Sequence, residues 1–163
     1  MKIHALHRYD RDVDTVVALF HDPAFITAKY TGIGARRVTV EECSGANGQW
    51  TVRTSREVPA EVPSLLSRFV SPWNTVSQRE RWEGPPGGPY RCTLEIEVAG
   101  VPVRMGGVME LRAEGGGCVN EVALEVVCGI PLVGGRLADF VGGDAEKAVG
   151  AEYDFIREHL RRA

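Results

Sequence analysis

Residues 35–128 alternate between apolar and polar positions, and this pattern limits the possible folds more than any other feature of the chain. Glycine-rich breaks interrupt the alternation at intervals of roughly ten to fifteen residues. The clearest stretch is residues 90–98, in which every second residue is apolar and the residues between them are Arg, Thr or Glu. Such alternation is typical of strands with one buried face. The region is therefore predicted to hold six antiparallel strands.

Helical patterns flank this region on both sides. Residues 3–9 are typical of a short strand, and two short helices are expected after it, one following Asp12 and one following Asp22-Pro23, since Asp favours a helix N-cap and Pro the first helical turn. After residue 135, apolar residues recur at helical spacing, which predicts one amphipathic helix of about 25 residues. The helical stripes of the second and last helices include two charged residues, Lys29 and Glu152.

The sequence also predicts the structure of two connections between the strands. Residues 44–48 (Ser-Gly-Ala-Asn-Gly) are interpreted as a hairpin loop. Residues 62–70 follow a proline-interrupted strand and carry enough apolar residues for either a short helix or an apolar loop.

An antiparallel sheet with one apolar face must cover that face, and the last helix is the only predicted element large enough to do so. We therefore expect residues 1–163 to form one α+β domain. It comprises a curved, seven-stranded antiparallel sheet wrapped around a long C-terminal helix, with two short helices after strand 1. Sheet curvature can leave a cavity between the sheet and the helices.

Composition excludes several classes of function. The net charge of -3 gives no basic footprint for nucleic acid. No run approaches the ~18 apolar residues of a membrane span, and the first residues lack the apolar core of a signal peptide. We expect a cytoplasmic protein without an integral membrane segment, either a monomer or a homodimer.

Several short motifs, in order along the whole chain, resemble a known family. They are Asp12-Val13-Asp14-Thr15-Val16, Asp22-Pro23-Ala24-Phe25, Ala28-Lys29-Tyr30, Trp50-Thr51-Val52-Arg53-Thr54, Asn74-Thr75-Val76, Glu80-Arg81-Trp82, Pro131-Leu132-Val133-Gly134-Gly135 and Ala151-Glu152-Tyr153. The sequence is similar to the uncharacterised bacterial family called domain of unknown function 2505. That family lies within the START and birch-pollen-allergen-like (SRPBCC, helix-grip) superfamily. The resemblance implies the helix-grip fold and a tendency to bind apolar ligands, but no particular activity.

Neither a metal site nor a cofactor site is expected. The four cysteines lie far apart without a C-x-x-C pair, so we interpret them as reduced and mostly buried. His4 and His7 are three residues apart on a predicted strand, where they point to opposite faces and cannot share a metal. No residue is assigned as catalytic.

Candidate ligand-binding residues are aromatic, sulfur-containing or polar side chains, together with one isoleucine, expected on the enclosed side of the sheet and helices. They are Tyr30, Arg56, Phe69, Trp73, Gln78, Glu80, Trp82, Ile96, Met105, Met109, Phe140 and Tyr153.

The polar members of this set occupy rows of otherwise apolar residues. If Val76 and Trp82 face inward, then Gln78 and Glu80 do so too, and Arg56 is a candidate partner for the buried carboxylate. One interpretation is an apolar cavity with a few polar groups that orient a ligand. The other is that the face assignment slips near the strand ends, which leaves these groups in water.

The predicted function is non-catalytic binding or carriage of a hydrophobic or amphipathic small molecule, lipid-like or polyketide-like, between the sheet and the last helix. One alternative is an enzyme of the cyclase or aromatase type that uses Glu80, Arg56 or Tyr153 as acid, base or orienting group. Another is an interaction module that docks a protein partner on an exposed apolar patch.

Five glycines do not fit the role of turn residue. Gly106 and Gly107 fall inside a predicted strand, and Gly142, Gly143 and Gly150 fall inside the last helix. The three glycines in the last helix imply either that the helix is kinked there or that another group approaches it closely.

Overall fold

The computed structural model describes residues 1–163, which form one antiparallel sheet with three α-helices packed against it. The strands are β1 (Lys2–Tyr9), β2 (Arg36–Ala46), β3 (Gln49–Pro59), β4 (Trp73–Glu83), β5 (Tyr90–Val98), β6 (Arg104–Glu114) and β7 (Gly117–Val127). The helices are α1 (Val13–Phe20), α2 (Pro23–Gly32) and α3 (Gly134–Arg162). The predicted helix-grip architecture and the order of its elements are confirmed.

Strands β2 to β7 form a meander in chain order, and the first strand, β1, pairs with the last, β7. Its order is β1-β7-β6-β5-β4-β3-β2, and all neighbours are antiparallel. Because β1 and β2 form opposite edges, the segment containing α1 and α2 crosses the whole sheet. None of the helices combines the length and apolarity needed to cross a membrane.

The two short helices begin at the predicted residues. Asp12 accepts a hydrogen bond from the Thr15 backbone N–H at 2.7 Å, and Asp22 accepts one from Ala24 at 3.0 Å, immediately before Pro23. These side chains satisfy backbone donors that would otherwise lack partners at the helix ends.

The long helix α3 contacts the core at its two ends. Its buried residues lie in residues 134–142 and at Ile156 and Leu160. Between them, residues 143–155 include no fully buried residue, although this stretch lies over the sheet and the cavity described below. The middle of the helix therefore faces a space that side chains do not fill.

Two local expectations need correction. Strand β2 continues through Ala46, so the turn is only Asn47-Gly48, and both residues have positive φ. Such a pair suits the tight turn of a twisted hairpin, which explains why the five-residue loop is wrong. Helix α3 has 29 residues instead of about 25. In residues 62–70 the short helix, one of the two predicted alternatives, is present as the three-residue 3-10 helix Ser64–Leu66.

The glycines inside elements have different roles. A Cβ on Gly107 would collide with the Ala123 carbonyl oxygen, and one on Gly106 would lie 2.8 Å from that of Leu94. Neighbouring strands therefore approach β6 too closely for side chains at these positions. In α3, Gly142 is covered by the Met1 side chain, whereas nothing lies within 4 Å of a Cβ at Gly143 or Gly150. The helix runs continuously through all three.

Candidate ligand cavity

A cavity of about 400 Å³ lies between the inner face of the sheet, α2 and the middle of α3. Of its 36 lining residues, 25 are hydrophobic. Only Pro59, at the end of β3, and Lys147, on α3, are exposed members of the wall. The size and the apolar wall are typical of sites for small organic molecules.

Nine of the twelve candidate residues are part of this wall. They are Tyr30, Arg56, Gln78, Glu80, Ile96, Met105, Met109, Phe140 and Tyr153. Their contact with a ligand stays a prediction.

The other three candidates, Phe69, Trp73 and Trp82, lie outside the wall. Trp82 is on the inner face but packs near the end of β4 against Phe20, with ring centroids 5.3 Å apart. Trp73 is the first residue of β4 and is exposed, and the Arg36 guanidinium stacks 3.7 Å from its ring centroid. Phe69 is half-buried in the connection between β3 and β4. Aromatic character alone did not separate core or surface contacts from cavity contacts.

A row of polar side chains crosses the inner face from β3 to β4. Arg56 Nη2 donates to Gln78 Oε1 at 3.2 Å, and Gln78 Nε2 donates to Glu80 Oε2 at 2.8 Å. Trp82 Nε1 donates to the other Glu80 oxygen at 2.9 Å. The expected direct pair between Arg56 and Glu80 is therefore wrong, because Gln78 lies between them. The inward orientation of these residues is confirmed, and the strand faces do not slip.

Lys29 supplies the nearby positive charge. Its Nζ lies 3.0 Å from Glu152 Oε2, and its side chain is 5% exposed. Burial raises the pKa of Glu80, while Lys29 and the hydrogen bonds from Trp82 and Gln78 oppose that shift. For Lys29, burial is the largest single effect and lowers the pKa, but Glu152, Tyr30 and Glu80 together outweigh it and the net shift is upward. The ion pair therefore joins α2 to α3 beside the cavity.

Sequence reasoning did not propose Lys29 or Glu152 as site residues, although a signal was present. Both are charged residues within otherwise apolar helical stripes. A charge at such a position needs a buried partner, and here each residue is the partner of the other.

Arg56 is the cavity cation with a free donor. The residue is 8% exposed, its guanidinium stacks 3.9 Å from the Tyr30 ring centroid, and its Nη1 has no hydrogen-bond partner. No carboxylate lies within salt-bridge distance of it. A buried guanidinium without a carboxylate partner is costly unless something else supplies an acceptor.

A second polar group lies where β1 ends and β7 begins. It consists of His7, Tyr9 and Asn120, which were not among the candidates. The His7 ring stacks on Tyr153 at 4.2 Å between centroids, and burial lowers the pKa of His7. The Tyr153 hydroxyl donates to the Arg8 carbonyl oxygen and accepts from its N–H. The alternation of β1 places His7 and Tyr9 on one face, which was the available signal.

No group of three His, Cys, Asp or Glu side chains has the arrangement of a metal site. All four cysteines are free thiols, and Cys92 and Cys118 are buried. Burial raises the pKa of the Cys118 thiol to about 11, so this thiol is a poor nucleophile at neutral pH.

Solved structures share this architecture over nearly their full length. TTHA0849 from Thermus thermophilus aligns with a TM-score of 0.68 and 17% identity, covering 99% of this chain and 98% of that one. The Zhui aromatase/cyclase from Streptomyces sp. R1128 aligns with a TM-score of 0.64 and 12% identity, covering 99% and 94%. A STAR-related lipid transfer protein from Xanthomonas axonopodis aligns with a TM-score of 0.56 and 18% identity, covering 98% and 85%. These identities are low, so the likeness is one of fold.

Sequence comparison identifies the family itself. No curated protein matches the chain. The family profile described as "Protein of unknown function (DUF2505)" matches residues 4–160, nearly the whole chain. The protein therefore belongs to the DUF2505 family and has the START-like helix-grip fold.

Proposed function

We propose that this protein binds an amphipathic small molecule, lipid-like or polyketide-like, whose chain fills the apolar cavity and whose carboxylate pairs with Arg56. The observation that carries the proposal is the free Nη1 of Arg56, buried in the wall of a mostly hydrophobic cavity. A carboxylate there would accept charge-assisted hydrogen bonds from the guanidinium, and the apolar chain would leave water.

The relatives in structure support a ligand-binding use of this fold, since one is described as a lipid transfer protein and another as an aromatase/cyclase. The cavity also favours a small molecule over the protein-interaction alternative, because the space faces inward. Half-buried Met105 and Met109 line it, and flexible thioether side chains adapt to varied ligand shapes.

The arrangement of the proposed catalytic trio favours binding over cyclase or aromatase chemistry. Gln78 separates Arg56 from Glu80, and both Glu80 oxygens accept hydrogen bonds. The Tyr153 hydroxyl is engaged by the Arg8 backbone. These three groups therefore contain no directly bonded acid–base pair.

Binding is tested with dodecanoic acid, a simple apolar chain with one carboxylate. Titration calorimetry is expected to show binding to the wild-type protein and an affinity about ten- to hundredfold weaker in Arg56→Met, since the variant loses hydrogen bonds from a charged group. Arg53→Met is the matched control, because Arg53 lies on the opposite face of β3 and pairs with Glu41 and Glu42. Equal loss of affinity in both variants would refute the role of Arg56.

Native mass spectrometry of protein purified without added ligand gives a second readout. We expect an organic mass that is lost on denaturation and reduced in Arg56→Met. If the protein converts the retained compound on incubation, the cyclase alternative is correct instead.

A further inference from the structure

Two buried polar atoms at the β1–β7 end of the cavity have no partner. They are the hydroxyl of Tyr9 and the Oδ1 of Asn120. Both residues line the cavity, and they are 4% and 2% exposed. Buried polar atoms in native proteins nearly always have a hydrogen-bond partner, so two orphans on one cavity wall point to a group that the cavity receives.

The strand register places both side chains on the inner face of the sheet. Tyr9 pairs with Cys118 and His7 pairs with Asn120, so Tyr9 and Asn120 are diagonal neighbours on adjacent strands. The amide nitrogen of Asn120 already contacts Met109 Sδ at 3.6 Å. The pair therefore offers one free acceptor, on Asn120, and one hydroxyl donor, on Tyr9.

The free hydrogen-bonding atoms select a group that can both donate and accept. Burial raises the pKa of Tyr9, followed in size by the effects of Tyr153 and Glu152, so the Tyr9 hydroxyl keeps its proton. Burial also lowers the pKa of the neighbouring His7, which favours the neutral imidazole. A carboxylate has no proton to donate to the Asn120 oxygen, whereas a hydroxyl group can donate to that oxygen and accept from the Tyr9 hydroxyl.

This polar group is also distant from Arg56 along the sheet. Arg56 pairs with Val76 on β4, and Val76 pairs with Val98, the last residue of β5, so Arg56 lies at the height of Val98 along the strands. Asn120 pairs with Leu111 on β6, and Leu111 pairs with Tyr90, the first residue of β5, so Asn120 lies at the height of Tyr90, at the other end of β5. The wall between these levels is mostly hydrophobic.

We propose that Tyr9 and Asn120 form a hydroxyl-binding subsite, so that the preferred ligand is an apolar chain with a carboxylate at one end and a hydroxyl group at the other. The ligand hydroxyl donates to Asn120 Oδ1 and accepts from the Tyr9 hydroxyl. This inference rests on the proposed function, since it assigns the second end of the same ligand.

The test compares dodecanoic acid with its ω-hydroxylated derivative by titration calorimetry. The hydroxylated acid is expected to bind wild-type protein about three- to tenfold more tightly, as one or two neutral hydrogen bonds allow. Tyr9→Phe should remove most of this preference, measured as the ratio of its affinities for the two acids. Its melting temperature should not fall, because the deleted hydroxyl has no partner.

Tyr90→Phe is the matched control. The Tyr90 hydroxyl donates to Asp14 outside the cavity, so this variant also loses one phenol group but should keep the preference for the hydroxylated acid. Equal binding of the two acids to wild-type protein, or an undiminished preference in Tyr9→Phe, would overturn the subsite while the proposed function stands. If neither acid binds, the proposed function fails and the subsite fails with it.

Discussion

Replacing Gly143 or Gly150 by alanine should stabilise this protein. Both glycines lie inside α3, and a Cβ at either position would meet no atom within 4 Å beyond the local helix. Neither has a positive φ. The structure therefore gives no steric or conformational reason for glycine at either position.

The size of the gain follows from helix propensity. Glycine in a helix interior is about 0.8–1 kcal/mol less favourable than alanine, mainly because it loses more backbone entropy on folding. Each substitution should therefore raise the free energy of unfolding by about 1 kcal/mol, and the double variant by about 2 kcal/mol. For a domain of this size, the double variant should melt about 4–8 °C higher.

Urea denaturation and calorimetric melting of the ligand-free protein measure these changes. Gly107→Ala is the contrasting control, because its new Cβ would collide with the Ala123 carbonyl oxygen, and it should lower stability by more than about 1 kcal/mol. A neutral or destabilising effect of Gly143→Ala or Gly150→Ala would refute the reasoning.

Two further predictions concern buried ionisable groups. Lys29→Met should lower the free energy of unfolding, measured by urea denaturation, by about 3–5 kcal/mol, because Glu152 and Glu80 would lose their buried counter-charge. A loss below ~1 kcal/mol would contradict the burial of the Lys29–Glu152 pair. Burial lowers the pKa of His21 from its ordinary 6.5 to about 4. Between these pH values the unfolded chain binds a proton at His21 that the folded chain does not. The contribution of the neutral His21 to the free energy of unfolding is therefore fully present above pH 6.5 and is lost as the pH falls toward 4. The slope of unfolding free energy against pH in this window should flatten in His21→Phe, and an unchanged slope would contradict the prediction.

The fold could be predicted largely because its elements carry strong periodic signals. Alternation in residues 35–128 and helical spacing after residue 135 each persist over many residues, so small errors at element ends do not change the topology. The errors occurred where the signal is a turn of a few residues. Asn47-Gly48 alone makes the β2–β3 turn, whereas composition suggested a five-residue loop that begins at Ser44.

The candidate site could be predicted only in part, because a sequence shows which face a residue occupies but not what it meets there. The alternation of β4 correctly placed Gln78 and Glu80 inside. It could not show that Trp82, on the same face, would pack on Phe20 instead of the cavity. Nor could it show that Arg56 would bond to Gln78 and keep one nitrogen free, since that depends on side-chain lengths across two strands.

The cavity itself follows from small side chains on α3 opposite a curved sheet. Ala145, Ala148 and Ala151 all belong to its wall, on the stretch of the helix that has no fully buried residue. In the sequence these alanines are ordinary helix formers, and their spacing equally suits a closely packed core. Whether the alanines line a packed core or a cavity depends on the distance between the helix and the sheet. Larger residues set that distance, since Leu137 and Ile156 contact the core on either side of this stretch. The same alanines that would close a core around a nearer sheet therefore leave a cavity here.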